Sequence, residues 1–596
     1  MEEKTKPKAD FLFEISWEVC NKVGGINTVI KSKAAKMIEH YNHNYCMIGP
    51  FFPSKTSEFE ETLPREDIKK AFEELKKEGV TCHYGKWLIE SKPQTILIDF
   101  PRDYNKINAI KWELWEKFKI DSLRAGYDYD EPLLWGYYVG KLLEKLSGLK
   151  KRVVAHFHEW LSGSAILYLK EKNVNIATVF TTHATVLGRT LASNNIDFYS
   201  IWDMINKNEE IYKFWVESKH LLESASANNA DVFTTVSEIT AMEAENFLNK
   251  KPDIISPNGL DIEKFPTFEE ATIQHRKNRE KIREFLLYYF FPYYSFDLEN
   301  TLFYFLTGRH ELRDKGIDIF ISSLGRLNKI LKQKRSNKTI VAFVWVPANI
   351  KGIKPELLEN RTFFKDIKDI IDDETENIKH RIIYNIVSEK RISERKIFNK
   401  SDLLEIKKKV VRLKKEGLPP IITHELYDEN DDILNKIKET KLKNSKEDRV
   451  KIIFYPIYLS GADGLLDLSY YEAIGGCHLG IFPSFYEPWG YTPLEASTLG
   501  ISSITTDLAG FGRYIKNLPK SPKNPGIYII KRFKKRDEEI IRELTKIMWD
   551  YTKLSKQDRI ANRMEARRLA STADWKFFIK KYIEAHNLAI KRRFNY

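Results

Sequence analysis

The run Ile481-Phe482-Pro483-Ser484-Phe485-Tyr486-Glu487-Pro488-Trp489-Gly490-Tyr491-Thr492-Pro493-Leu494-Glu495 holds the residues best suited to chemistry. Pro488, Gly490 and Pro493 force an irregular loop after a strand-like run, and Pro493 suits the first turn of a new helix. Glu487 then falls on the loop and Glu495 near the helix start. Free amides at Gly490, Tyr491 and Thr492 can cradle a diphosphate while the two carboxylates accept hydrogen bonds from sugar hydroxyls. Acids that merely favour the helix dipole would account for Glu495, but not for Glu487 on a loop of Pro, Gly and aromatics.

A second stretch, Gly308-Arg309-His310-Glu311-Leu312-Arg313-Asp314-Lys315-Gly316, follows a strand-like run at 302–307. Arg309 and Lys315 at the end of a strand can neutralise the two phosphates of a nucleotide leaving group. Surface pairing with Glu311 or Asp314 explains the same residues equally well. In Val23-Gly24-Gly25-Ile26, paired glycines before a helical pattern starting near Asn27 let backbone approach a ligand and offer amides to a phosphate. This is not G-x-G-x-x-G, and alone it reads as a plain turn. Histidines close two further strands, at His156-Phe157-His158-Glu159-Trp160 and Thr181-Thr182-His183-Ala184-Thr185. His156 and His158 are read as facing opposite sides of their strand with no third ligand near, so no metal site is expected.

The elements that must position these groups follow from periodicity. Strand-length apolar runs at 11–15, 95–99, 153–157, 177–182 and 232–236 alternate with helical patterns. The second half repeats this at 302–307, 340–346, 451–455, 480–483 and 502–505. Such alternation predicts parallel sheets with crossover helices. The fold class is α/β with two doubly wound sheets, which bind ligands at the carboxyl ends of their strands. Between 351 and 418 lies a Lys-, Glu- and Ile-rich insertion. There Leu403, Ile406, Val410 and Leu413 make an amphipathic stripe, stopped by Gly417 and Pro419. That helix either covers its lobe or meets another subunit.

The 596 residues exceed one core, which predicts two lobes. Apolar residues at 42% and charged residues at 30% are ordinary for a soluble protein. The net charge of +13 is spread among acidic residues, and reads as solvated helix faces, not a nucleic-acid footprint. Residues 1–10 lack the apolar core of a signal peptide. The greasy run 285–296 is short and broken by Pro292, so no membrane span is expected. Four scattered cysteines (Cys20, Cys46, Cys82, Cys477) suggest buried thiols in a reducing compartment, the cytoplasm.

Taken in order, these words resemble the glycogen synthases of glycosyltransferase family 3, in its non-plant, eukaryotic-type branch. The matches are Phe13-Glu14-Ile15-Ser16-Trp17-Glu18-Val19 with Asn21-Lys22-Val23-Gly24-Gly25, His156-Phe157-His158-Glu159-Trp160, Phe180-Thr181-Thr182-His183-Ala184-Thr185 and Ser256-Pro257-Asn258-Gly259-Leu260. Cys477-His478-Leu479-Gly480 then leads into Tyr486-Glu487-Pro488-Trp489-Gly490-Tyr491-Thr492-Pro493, a long and unusual word.

The resemblance implies a two-lobed GT-B fold. Its acceptor-binding lobe would span 1–265, joined by C-terminal helices crossing back from about 560 to 596, and its nucleotide-sugar lobe 266–560. It further implies retaining α-1,4 transfer of glucose from UDP-glucose to the nonreducing end of a glucan, with no metal and no cofactor. By position, Arg309 and Lys315 would grip the diphosphate, helped by Lys22 and the amides of Gly24, Gly25, Gly490, Tyr491 and Thr492. Tyr470 would stack on uracil, Glu487 hold the donor glucose and Glu495 the ribose. His183 would lie beside the reacting carbon, with Asn258 and Arg189 lining the cleft. Since His183 and not a carboxylate would occupy the β-face, front-face attack is the expected course.

Regulated members carry arginines on a C-terminal helix that senses glucose 6-phosphate. Here Arg559, Arg563, Arg567 and Arg568 precede Asp574-Trp575, with Glu565 and Ala566 interrupting them. Spacing of four puts the first three on one face. Upstream, Tyr289 and Tyr293 stand where histidines would be expected. The insertion matches the family's oligomerisation segment, which implies a tetramer. A related transferase with another acceptor or with ADP-glucose, and a silent glucan- or RNA-binding protein, are the alternatives. Intact Glu487, Glu495, Arg309 and Lys315 speak against the silent one. A phosphorylase is set aside because its pyridoxal-phosphate lysine context is missing.

Overall fold

A computed structural model describes residues 6–55 and 57–595. The first sheet comprises β1 (Phe11–Ile15), β2 (Tyr45–Pro50), β3 (Phe59–Glu61), β4 (Thr81–Trp87), β5 (Gln94–Asp99), β6 (Val153–His158), β7 (Ala177–Thr182), β8 (Val232–Thr235) and β9 (Ile254–Ile255). Their order is β3-β4-β5-β2-β1-β6-β7-β8-β9, parallel except for the β3-β4-β5 edge. The second sheet comprises β10 (Thr301–Thr307), β11 (Thr339–Trp345), β14 (Val450–Tyr455), β15 (Leu479–Ile481), β16 (Ser502–Thr506) and β17 (Ile527–Ile530), ordered β14-β11-β10-β15-β16-β17. The inner strands β1, β6 and β7 are buried throughout, which is why they read as near-continuous apolar runs.

Each sheet reverses its winding once, between β1 and β6 in the first and between β10 and β15 in the second. Loops leaving those strands diverge and open a crevice. The words at 23–26, 156–160, 181–185, 308–316 and 482–495 lie on or follow such strands or their neighbours. The result is the GT-B arrangement, two Rossmann-like lobes.

The final helix, Trp575–Phe594, packs on β6, β7, β8 and the helix Gly25–Tyr41, and so belongs to the first lobe. The helix before it, Lys556–Ser571, packs instead on β16, β17 and the helix Tyr491–Thr498 of the second. The chain therefore crosses back after Ser571, later than the 560 suggested by sequence. The crossing is pinned by Leu260, whose amide donates to Ala573 at 3.0 Å and whose carbonyl accepts from Trp575 at 3.2 Å. A Cβ on Gly259 would lie 2.6 Å from the Trp575 ring, so only glycine fits there.

The insertion grows from an antiparallel ribbon, β12 (Ile350–Ile353) with β13 (His424–Leu426). Its helix Lys400–Leu413 packs on the helix Pro355–Asp373. Leu413 is buried while Val410 stays partly exposed, and the helix ends at Leu413, before Gly417. Lys414 already has extended backbone there. On the neighbouring helix Thr375–Val387, Ile383, Tyr384, Ile386 and Val387 face solvent. Among the described residues no helix is long and apolar enough to cross a membrane.

Candidate active site between the lobes

The loops after β10 and β15 are built as one unit. The Asp314 carbonyl accepts from the amides of Phe485 at 2.9 Å and Tyr486 at 3.2 Å. Gly316 has φ of 68°, and a Cβ there would lie 2.1 Å from the Pro483 carbonyl oxygen. Both facts demand glycine. This stitching brings Lys315 onto Glu487, Nζ to Oε2 at 2.6 Å, with both side chains half-buried. Arg309 lies exposed at the rim, 3.1 Å from Glu311. The pairing with Glu311 raised from sequence is thus present, alongside the convergence on Glu487.

After Glu487 the chain reaches Gly490, with φ of 109°, and enters the helix Tyr491–Thr498 with Pro493 in its first turn. The opening amides of such a helix have no intrahelical acceptor. Glu495 is not at the helix start but one turn in, where it accepts from the hydroxyls of Tyr470 and Tyr471, each at 3.0 Å. Burial raises its carboxyl to about 7, against those two hydrogen bonds. Tyr470 and Glu495 are therefore neighbours, joined by a hydrogen bond.

On the first lobe the helix following β1 begins at Gly25, earlier than Asn27. Its amides are not all free. Glu18 Oε2 accepts from Gly24 at 2.7 Å and from Asn27 at 3.0 Å. An internal carboxylate thus occupies the helix terminus that sequence assigned to a phosphate, by the same dipole logic. Lys22, Gly24 and Gly25 are exposed, with open space where a Gly25 Cβ would sit.

The reading of His156 and His158 on opposite faces is corrected. Side chains alternate along a strand, so residues two apart share a face. Their rings stack at 4.5 Å, and Glu14 of β1 joins them as a third potential ligand. The cluster already holds a cation, because the Lys33 ammonium pairs with Glu14. His158 also hydrogen-bonds Glu14, Nε2 to Oε1 at 2.8 Å, and its Nδ1 lies 2.9 Å from His183 Nε2. His156 bonds Thr181 at 2.7 Å and His586 at 3.1 Å. Burial lowers all four imidazoles, so each is neutral near pH 7.

Backbone amides of His183 and Ala184 donate to Glu159 Oε1 at 2.9 and 3.1 Å. Glu159, Glu223 and Glu243 are buried around the helix Val186–Ser193, and burial raises each of them. Arg189 on that helix is solvent-accessible, and its nearest opposing charges include Glu159 of its own lobe and Glu311 of the other. Asn258 is buried beneath the cleft, accepting from Tyr582 at 3.4 Å. The lobes touch where Tyr486 donates to Glu243 at 3.3 Å, Arg313 to the Asn195 carbonyl at 3.2 Å and Tyr491 to the Gly259 carbonyl at 3.2 Å. Arg309, Lys315, Glu487 and Arg189 thus border one crevice between the lobes.

The C-terminal arginines divide. Arg559, Arg563 and Arg567 bond the carbonyls of Leu554, Gly500 and Thr498 at 2.6, 3.0 and 3.0 Å. Arg568 turns away and pairs with Glu565. Beside Arg563 stand His275 and Arg279 on the helix Phe268–Tyr289, which sequence reading missed, and next to Arg279 and Arg559 lies His478. Burial, with Arg563 and Arg283 nearby, lowers Arg279 to about 10. Tyr289, where sequence leads us to expect a histidine, is core and donates to the Pro420 carbonyl at 2.9 Å. The helical spacing His275–Arg279–Arg283 was the signal available in sequence.

The family model described as glycogen synthase matches residues 14–596. Similar proteins include the glycogen [starch] synthase of Neurospora crassa, 38% identical over 99% of this chain and 85% of that one. Saccharomyces cerevisiae isoform 2 is 38% identical over 98% and 86%, and the Homo sapiens liver protein 37% over 98% and 84%. Among solved structures, the catalytic domain of Arabidopsis thaliana starch synthase IV, bound to ADP and acarbose, shares the fold at a TM-score of 0.50 and 13% identity, covering 98% of this chain and 100% of that one. With the crevice between two doubly wound lobes, these similarities establish that the chain belongs to the glycogen synthase family, the glycosyltransferases of glycogen synthesis.

Proposed function

We propose that this chain transfers glucose from UDP-glucose to the nonreducing end of an α-1,4-glucan with retention of configuration. The observation that carries this reading is the meeting of Lys315 and Glu487, from two separately positioned loops, beside Arg309 at the mouth of the crevice. Diphosphate oxygens replace Glu311 as the partner of Arg309 and share Lys315 with Glu487, whose other oxygen takes a glucose hydroxyl. Tyr470 stacks on the uracil and Glu495 accepts from the ribose. Lys22, Gly25 and the amides of Gly490, Tyr491 and Thr492 complete the diphosphate site, and the amide of Gly24 joins only when Glu18 moves off it. Arg189 and Asn258 line the sugar side.

Front-face attack follows. The bond from glucose C1 to the β-phosphate oxygen breaks with its electron pair on the phosphate. The acceptor hydroxyl oxygen bonds C1 on the same face, and its proton passes to the departing phosphate, giving UDP. Arg309 and Lys315 stabilise the charge that develops there, a preorganised electrostatic contribution. His183 packs beside the reacting carbon.

The cationic pocket of Arg279, Arg559, Arg563, His275 and His478 is suited to an activating sugar phosphate such as glucose 6-phosphate, with Arg567 and Arg568 at its periphery. The solvent-facing Ile383, Tyr384, Ile386 and Val387 suit a homotetramer contact, and four unpaired thiols suit the cytoplasm. Labelled UDP-glucose and ADP-glucose incubated with glycogen, with and without glucose 6-phosphate, test the reading. Incorporation from UDP-glucose is expected, and preference for ADP-glucose or no incorporation overturns it.

A further inference from the structure

The lysine, glutamate and two histidines beneath the crevice form a line of contacts that ends at His183. Lys33 is fully buried and pairs with Glu14, and its Nζ lies 4.1 Å from the centre of the Tyr582 ring. The second oxygen of Glu14 accepts from the Tyr45 hydroxyl. Burial opposes ionisation of Glu14, but the charge of Lys33 and the hydrogen bond from His158 outweigh it and hold the group anionic.

A carboxylate only accepts, so His158 must carry a proton on Nε2, 2.8 Å away. Whether His158 carries a second proton depends on Lys33. The lysine already balances the charge of Glu14, so an imidazolium would leave an uncompensated buried cation. A neutral imidazole has one N–H, so His158 Nδ1 is an acceptor, and His183 Nε2 at 2.9 Å must be the donor to it.

We propose that Lys33 and Glu14, acting through His158, hold His183 as the tautomer protonated at Nε2, so that its Nδ1 meets the donor sugar as a hydrogen-bond acceptor. Lys33, Glu14 and His158 are positioning residues. The half of the proposal that concerns the sugar rests on the donor assignment above; the tautomer does not.

The test is long-range proton–nitrogen correlation on the full chain with 15N-labelled histidine, with His183 identified from the spectrum of His183→Asn. The free wild-type protein is expected to show His183 protonated at Nε2. Protonation at Nδ1, or at both nitrogens, overturns the proposal whether or not UDP-glucose is the donor. In Lys33→Met, Glu14 loses its cation and draws a proton onto His158, whose Nδ1–H then donates to His183 and moves the His183 proton to Nδ1. The expected result is that switch, with kcat lower by about 10- to 100-fold, the scale of losing a partner that orients an imidazole. The KM for UDP-glucose should rise as well, by about five- to tenfold, since a protonated Nδ1 no longer accepts from the sugar. Unchanged turnover in a variant whose His183 has switched overturns the positioning role. If Lys33→Met does not fold, the wild-type spectrum alone decides the tautomer. Absence of transfer from UDP-glucose by the wild type would defeat the donor reading and leave the spectrum to judge the relay.

Discussion

The two points where the sheets reverse their winding solve different problems. At β1 and β6 the polar groups are buried and bonded to one another: Glu14 to Lys33 and His158, His158 to His183, Glu18 to the amides of Gly24 and Asn27. At β10 and β15 the cations remain reachable by solvent, with Lys315 only half-buried and Arg309 exposed. Desolvated charges paired with one another define geometry, because any other arrangement strands a buried charge. Accessible cations have affinity to give to an incoming anion. In the proposed mechanism the first lobe mainly orients, and the second supplies most of the cationic grip.

The largest test of this contrast lies on the binding side. Arg309→Ala or Lys315→Ala is expected to lower kcat by about 100- to 1,000-fold, the loss that accompanies one preorganised donor to a developing charge. Near-normal turnover by steady-state kinetics would count against the assignment. Next comes the stitching. Gly316→Val places a β-branched residue at positive φ against the Pro483 carbonyl. It should cost on the order of 3 kcal/mol, read as a lowered melting temperature.

The arginines of the helix Lys556–Ser571 offer a sharper comparison within one element. Arg563→Ala, beside Arg279 and His275, should raise the glucose 6-phosphate concentration needed for half-activation about tenfold or more. Arg568→Ala removes an exposed pairing with Glu565 and an exposed hydrogen bond to the Pro519 carbonyl. It should shift that value less than about twofold, as exposed ion pairs contribute little.

The smallest effect concerns Glu495. Its folded carboxyl titrates at about 7 against an ordinary 4.5, so the native state binds the extra proton between those values. Stability should therefore fall as pH rises through that window. Glu495→Gln removes the group, and its melting temperature should decline less between pH 5 and pH 8 than that of the wild type.

The layer order was legible because parallel strands buried on both faces leave continuous apolar runs, as in β1, β7 and β10. The short or polar strands were not. β4, with Thr81 and Lys86 exposed, carries little hydrophobic signal, and the edge strand β17, though apolar, is only four residues long. The glycine, proline and aromatic word around Glu487 announced the irregular loop that turns at Gly490 and meets Lys315, since that mixture resists regular structure. Three things were hidden. Glu18 capping the helix at Gly25 is a local contact that two glycines do not reveal. The Glu14, Lys33 and His158 line joins residues far apart in sequence whose shared face only the sheet order supplies. His275 and Arg279 sit in an unremarked polar helix, and become a site only when that helix lies against Arg563.

The central claim is that Arg309 and Lys315 catch a diphosphate in the crevice, and calorimetric titration of UDP tests it most directly. The Arg309→Ala/Lys315→Ala double variant is expected to bind UDP at least about 100-fold more weakly than the wild type, at the strength of two charge-assisted contacts. Equal dissociation constants for the two proteins would contradict it.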